Sequence, residues 1–259
     1  MDLQLKGKTA IVTGASRGIG RGIARVLAGE GCHLHLAARS EPDLTPLRTE
    51  ILSTHDVEVT CHALDLSKPE AVLELARRCG AVDILVNNAG DIPFGRLLDI
   101  DGPAWRNAWN LKVFGTIDLT REVYAGMRKQ RNGVIINIIG LAGERPRGEY
   151  IAGATGNAAL MAFTKALGGE SVEFGIRILG LNPGQIDTDR IRETLKNQAE
   201  KKLGDRSRWE ELARSGPLGR IGRPEEIADV VAFLASERSS YMSGTIVTVD
   251  AGRSVRDNA

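Results

Sequence analysis

Thr13-Gly14-Ala15-Ser16-Arg17-Gly18-Ile19-Gly20 is the stretch whose reading decides the fold. It follows an apolar run, Lys8–Thr13, and opens a helical pattern, Gly18–Gly29. Glycines permit the tight turn between the two and let the backbone come close to a pyrophosphate. The free N–H groups and partial positive charge of a helix N-terminus then suit the phosphates. Gly14, Ser16, Arg17, Gly18, Ile19 and Gly20 are therefore the expected phosphate-binding residues. A bare glycine cluster is a weak signal, but one between strand and helix in a β-α-β unit is specific.

The same alternation continues along the chain. Lys8–Thr13, His33–Ala38, Val57–Leu64, Asp83–Asn87, Gly133–Ile139, Ile176–Asn182 and Thr245–Val249 read as strands. They are apolar on both faces, as in a parallel sheet covered by helices on each side. Helical patterns lie between them at Gly18–Gly29, Pro42–Ser53, Pro69–Cys79, Pro103–Gln130, Tyr150–Phe174 and Pro224–Ser236. Asp43, Ser67 and Asp101 are expected at or near N-caps. Repeated β-α units with right-handed crossovers predict an α/β fold, a Rossmann-type doubly wound parallel sheet. No Pro/Gly/Ser-rich linker divides the 259 residues, so residues 1–259 are read as a single domain. The charged, partly periodic stretch at 187–220 is expected to form a substrate flap, a solvated helix pair being the plainer alternative.

Composition narrows the function. Lys and Arg number 34 against 33 Asp and Glu, a net charge of +1, which gives no electrostatic reason for nucleic-acid or membrane partners. No run approaches the ~18 apolar residues of a membrane helix. Met1 to Lys8 lacks the apolar core of a signal peptide. The cysteines Cys32, Cys61 and Cys79 are odd in number and have no metal-ligand spacing, so a reduced, cytoplasmic setting and no metal are expected. His33, His35, His55 and His62 lie in the region of the second and third strands and receive no role.

The second strand ends at Ala37-Ala38-Arg39-Ser40. An NAD-binding unit places an acid near here to grip the ribose 2′-hydroxyl, and Ala38 offers none. Arg39 and Arg17 instead suit a 2′-phosphate, so the expected cofactor is NADP, with NADPH preferred over NADH.

Further motifs stand in order along the chain: Asp65-Leu66, Asn87-Asn88-Ala89-Gly90, Asn110-Leu111, Asn182-Pro183-Gly184 with Ile186 and Thr188, Gly222 to Glu226, and Ser243-Gly244 through Gly252. With these the chain resembles the short-chain dehydrogenase/reductase family over nearly its whole length. The resemblance implies that Asp65 and Leu66 meet the adenine and that Asn88, Ala89 and Gly90 wall the cofactor cleft. It makes Asn110 the asparagine of a catalytic tetrad. It assigns Pro183, Gly184, Ile186 and Thr188 to the nicotinamide carboxamide loop. It also implies a small-molecule substrate and a homo-oligomer, tetramer or dimer, formed through the helices at 103–130 and 150–174.

Three positions depart from that pattern. In gapless register, Gly140 falls on the family's serine, Gly153 on its tyrosine and Asn157 on its lysine. In the resembled mechanism serine orients a carbonyl, tyrosine protonates it, and lysine anchors the nicotinamide ribose and lowers the tyrosine pKa. Asn157 retains the capacity to hydrogen-bond a ribose hydroxyl but carries no charge. Tyr150 stands seven positions before Asn157, the spacing of the family's enoyl reductase branch, and is the expected replacement donor. Trp105 and Trp109 are expected to pack, Trp209 is a possible cap on the substrate, and Glu144, Arg145, Arg147 and Glu149 are expected at the mouth of the site. Three functions remain open: an NADP(H) oxidoreductase of a carbonyl or enone with a non-standard proton donor, a catalytically silent dinucleotide-binding sensor or subunit, and a non-redox lyase or isomerase.

Overall fold

The computed structural model describes residues 1–256. Seven strands form one sheet: β1 Thr9–Thr13, β2 His33–Ala38, β3 Val59–Ala63, β4 Ile84–Asn87, β5 Gly133–Ile138, β6 Ile176–Pro183 and β7 Ile246–Val249. Their order is β3-β2-β1-β4-β5-β6-β7 and every neighbouring pair is parallel. The sequence of crossovers reverses between β1 and β4. A crevice opens at such a switch point outside the carboxyl ends of the strands.

The helices are α1 Gly18–Gly29, α2 Glu41–Thr54, α3 Pro69–Cys79, α4 Gly102–Trp109, α5 Gly115–Gln130, α6 Ile151–Ser171, α7 Asp189–Leu203, α8 Trp209–Arg214 and α9 Pro224–Ala235. On one face of the sheet, Ile23 and Leu27 of α1 pack with Ile227 and Val231 of α9 over Val12 and Leu36. On the other face, Leu75 of α3 and Leu119 and Val123 of α5 pack over Ile11, Leu85 and Ile135. Strands buried on both faces explain the continuous apolar runs in the sequence.

The helix expected over 103–130 is interrupted. α4 passes into α5 through a π-helical turn at Asn110–Phe114, a local widening that recurs at functional sites. Of the three residues expected at or near caps, Asp101 is the cap itself, accepting from the Ala104 N–H at 2.7 Å. Ser40 and Lys68 occupy the N-cap positions of α2 and α3; Asp43 lies inside the first turn, and Ser67 instead donates to Asp65 at 2.8 Å. The stretch at 187–220 is largely helical, laced by exposed ion pairs such as Arg192–Asp187 and Arg208–Glu211. Pairs of this kind contribute ~0–1 kcal/mol each, so they order the segment without fixing it strongly. No helix among the described residues is long and apolar enough to cross a membrane.

Candidate active site

The glycine turn is built by steric necessity. Gly14 and Gly18 have φ of +64° and +55°, values that favour glycine. A β-carbon on Gly20 would run into the Gly14 carbonyl, so α1 starts tight against the turn. Asn88 fastens the turn from β4, its side-chain amide donating to the Thr13 and Gly14 carbonyls at 2.9 and 3.2 Å. The Thr13 hydroxyl in turn accepts from the Asn88 and Ala89 N–H groups at 2.9 and 3.0 Å. No side chain caps α1, which leaves its first N–H groups to an anion.

This turn floors one end of a cleft of about 650 Å³. Gly14, Ser16, Arg17, Gly18, Ile19, Arg39 and Leu66 line that end, with Thr188 against Gly18; Asn88, Ala89 and Gly90 wall its middle; Pro183, Gly184 and Ile186 lie at the other. Three expected cofactor residues sit apart from its lining: Gly20, whose part is the tight turn itself, Asp65 and Asn157. Asp65 turns aside to accept from the Ser67 N–H and hydroxyl. Asn157 lies behind Gly140, donating from Nδ2 to the Gly140 carbonyl at 3.3 Å. Its Oδ1 is buried with no partner, a cost unless another donor reaches it. Arg17 and Arg39 are exposed, and neither forms an ion pair among the described residues.

Gly140, Gly153 and Asn157 are each consolidated by neighbours. Gly140 has a φ of +132°, outside the usual range of a serine, and a β-carbon there would come within 2.9 Å of the Asn157 amide. A β-carbon on Gly153 would collide with the Tyr150 ring. That ring therefore fills the volume over Gly153, stacked at 4.5 Å from Phe94. The Tyr150 hydroxyl is 3.3 Å from an Arg190 nitrogen. Burial raises the phenol pKa, and the Arg190 charge offsets this only partly. Tyr150 itself does not line the cleft; Arg190 does. Arg190 also donates to the Ile92 carbonyl and pairs with Asp91 at 3.4 Å, which pins the start of α7 over the cleft.

Asn110 is exposed and absent from the cleft lining. The cleft instead receives Leu111 and Lys112 from the π-helical turn. The Lys112 stem runs beside Gly90, and its ammonium donates to the Ile138 carbonyl at 2.8 Å. Burial, with the nearby charge of Arg190, lowers its pKa to about 8. Sequence reading missed this lysine because a side chain two residues from Asn110 belongs to a different face of a regular helix. The π-turn was the missing piece.

The expected mouth residues are spent elsewhere. Glu144 accepts from Asn182 at 3.0 Å, Arg145 donates to the Arg253 and Arg256 carbonyls, and Glu149 pairs with Arg96 at 3.6 Å. None of them, nor Arg147 or Trp209, lines the cleft. Trp109 packs, donating to the Ala152 carbonyl at 2.9 Å. The fold also gathers ligand atoms that sequence spacing kept apart, with those of His35, His62 and Cys79 all within 4.8 Å of one another. His35 and His62 are hydrogen-bonded at 3.0 Å, while burial and the charges of His35 and Arg78 hold His62 down to about 4.

A glycine turn, an uncapped helix and a cleft across a topological switch point define a dinucleotide-binding α/β protein. Comparison with known proteins then identifies its kind. A family profile described as Enoyl-(Acyl carrier protein) reductase matches residues 14–254. The 3-oxoacyl-[acyl-carrier-protein] reductase FabG of Vibrio harveyi is 34% identical over 251 residues, covering 96% of this chain and 98% of that protein. The FabG of Pseudomonas aeruginosa is 36% identical over 254 residues, with the same coverages of 96% and 98%. Among solved structures, L-sorbose reductase from Gluconobacter frateurii, complexed with NADPH and L-sorbose, superposes with a TM-score of 0.92 at 32% identity, over 99% of this chain and 100% of that one. The chain belongs to the short-chain dehydrogenase/reductase family and is an oxidoreductase of that kind.

Proposed function

We propose that the chain is an NADPH-dependent reductase of a small or medium organic carbonyl or enone, with a proton donor other than a tyrosine at 153. The observation that carries this reading is the continuity of one cleft from Arg39, past the glycine turn and the Asn88-Ala89-Gly90 wall, to Pro183 and Gly184. The fit to a dinucleotide rests on the uncapped start of α1 and the close approach at Gly20. The guanidinium groups of Arg17 and Arg39, without an ion pair among the described residues, and the lack of an acid at Ala38 favour a 2′-phosphate. When bound, NADPH supplies the hydride.

On this reading Pro183, Gly184 and Ile186 border the carboxamide end, and Thr188 lies against Gly18. Arg190, clamped by Asp91, Ile92 and Tyr150, seats the flap over that half of the cleft. Tyr150 has the spacing of a donor, but its phenol is raised and lies outside the cleft lining. The named relatives are described as reductases, and one was solved with NADPH, which supports redox chemistry over a silent binder or a lyase. A cytoplasmic homo-oligomer, tetramer or dimer, completes the proposal. The test is NADPH consumption with L-sorbose, 3-oxoacyl thioesters and enones; binding without consumption on all of them would overturn it.

A further inference from the structure

A reductase with Gly140, Gly153 and Asn157 at its reacting end needs another source for a cation and a proton. Asn157 is neutral, and both glycines lack side chains. The adenosine half of the cleft lies over β1 and β2, so the reacting half lies outside the ends of β4, β5 and β6. Among the cleft residues of that half, the side chains able to donate from a charged nitrogen are Lys112 and Arg190. Arg190 cannot release a proton at neutral pH.

We infer that Lys112 takes over both lost tasks, anchoring the nicotinamide ribose while charged and giving its proton to the substrate oxygen. The inference rests on the reductase reading. Its geometry is built in: the π-helical turn aims the stem past Gly90, where no β-carbon would fit, and the Ile138 carbonyl holds the ammonium at 2.8 Å. Only one of its three N–H groups is used there, leaving two for the cleft. As the carbonyl carbon accepts hydride, the C=O π pair moves onto oxygen, and an N–H proton of Lys112 passes to that oxygen. The product is the alcohol, and the neutral amine regains its proton from solvent through the open cleft.

The charged groups around Lys112 define its titration. Arg190 of α7 faces it, and Asp91, after β4, pairs with Arg190. Asp189 and Glu193 of α7 are exposed at the rim, Tyr150 at the start of α6 reaches Arg190 rather than Lys112, and β5 contributes only the Ile138 carbonyl. Arg17 and Arg39 are at the far end of the cleft. An amine poised at about 8 is matched to acid catalysis near neutrality.

Two readouts test this on the full chain. NADPH affinity, followed by nicotinamide fluorescence, is expected to fall as pH rises through about 8, and Lys112→Met is expected to bind weakly with no such step. Lys112→Arg, which keeps a charge but no acid, is expected to retain pH-independent binding while turnover of the best panel substrate drops by ~10²–10⁴. The inference is overturned if the pH step persists in Lys112→Met, or if either variant reduces substrate at the wild-type rate. A wild-type chain that binds no NADPH at any pH would instead overturn the reductase reading itself.

Discussion

The two ends of the cleft follow different rules. At the phosphate end the working parts are contiguous in sequence and mostly backbone: Gly14, Gly18 and Gly20, the start of α1, and the Asn88 staple. At the reacting end the parts come from separate elements. Lys112 arrives from the π-turn and Arg190 from α7. A backbone cradle tolerates little change because a single β-carbon destroys it. A side-chain constellation is redundant in space, and a charge lost from one element is replaceable from another. On the proposed reading, the contrast accounts for a phosphate turn that is kept beside Gly140, Gly153 and Asn157 at the reacting end.

The largest effect that would break this contrast is at the reacting end. Lys112→Met is expected to cut turnover by ~10²–10⁴ with folding intact, read by stopped-flow loss of NADPH absorbance. At the phosphate end, Gly20→Val forces its side chain into the Gly14 carbonyl and is expected to weaken NADPH binding by about 10²-fold in calorimetric titration. Arg39→Asp is expected to cost NADPH about 10- to 100-fold in affinity and to spare NADH, since one charge-assisted hydrogen bond contributes ~1.5–3 kcal/mol. A fourth test reads stability. Lys112 titrates at about 8 when folded, below the ordinary lysine value. The unfolded chain therefore holds more protons between the two values, and stability gains on the order of 3 kcal/mol as pH rises through that window. Urea melts of Lys112→Met should lack this gain. The smallest effect is expected from Tyr150→Phe, which removes one 3.3 Å contact to Arg190 and should change kcat by less than about tenfold. A larger loss there than at Lys112 would return the donor role to the phenol.

How much was legible follows the same division. The strands, the sheet class and the phosphate turn could be read directly, because period, burial and glycine placement are local properties. Helix α4 to α5 reads as one uninterrupted run, since apolar periodicity carries no mark of the π-turn at Asn110–Phe114. That turn hid Lys112 and left Asn110 at the surface. The seven-residue spacing singled out Tyr150, whose ring fills the volume over Gly153, but whether its hydroxyl or Arg190 enters the cleft depends on α7, 40 residues away in sequence. The charges at Arg145 and Glu149 were invisible as structural partners for the same reason: their contacts lie in the C-terminal tail and the loop after β4.

The central claim is that a rebuilt reacting end still transfers hydride. NADPH carrying deuterium at the nicotinamide C4 tests it most directly, with the product analysed by mass spectrometry. Deuterium on the former carbonyl or alkene carbon of one panel product, with the yield lost in Lys112→Met, is the predicted result. Cofactor that binds and keeps its label with every substrate would contradict it.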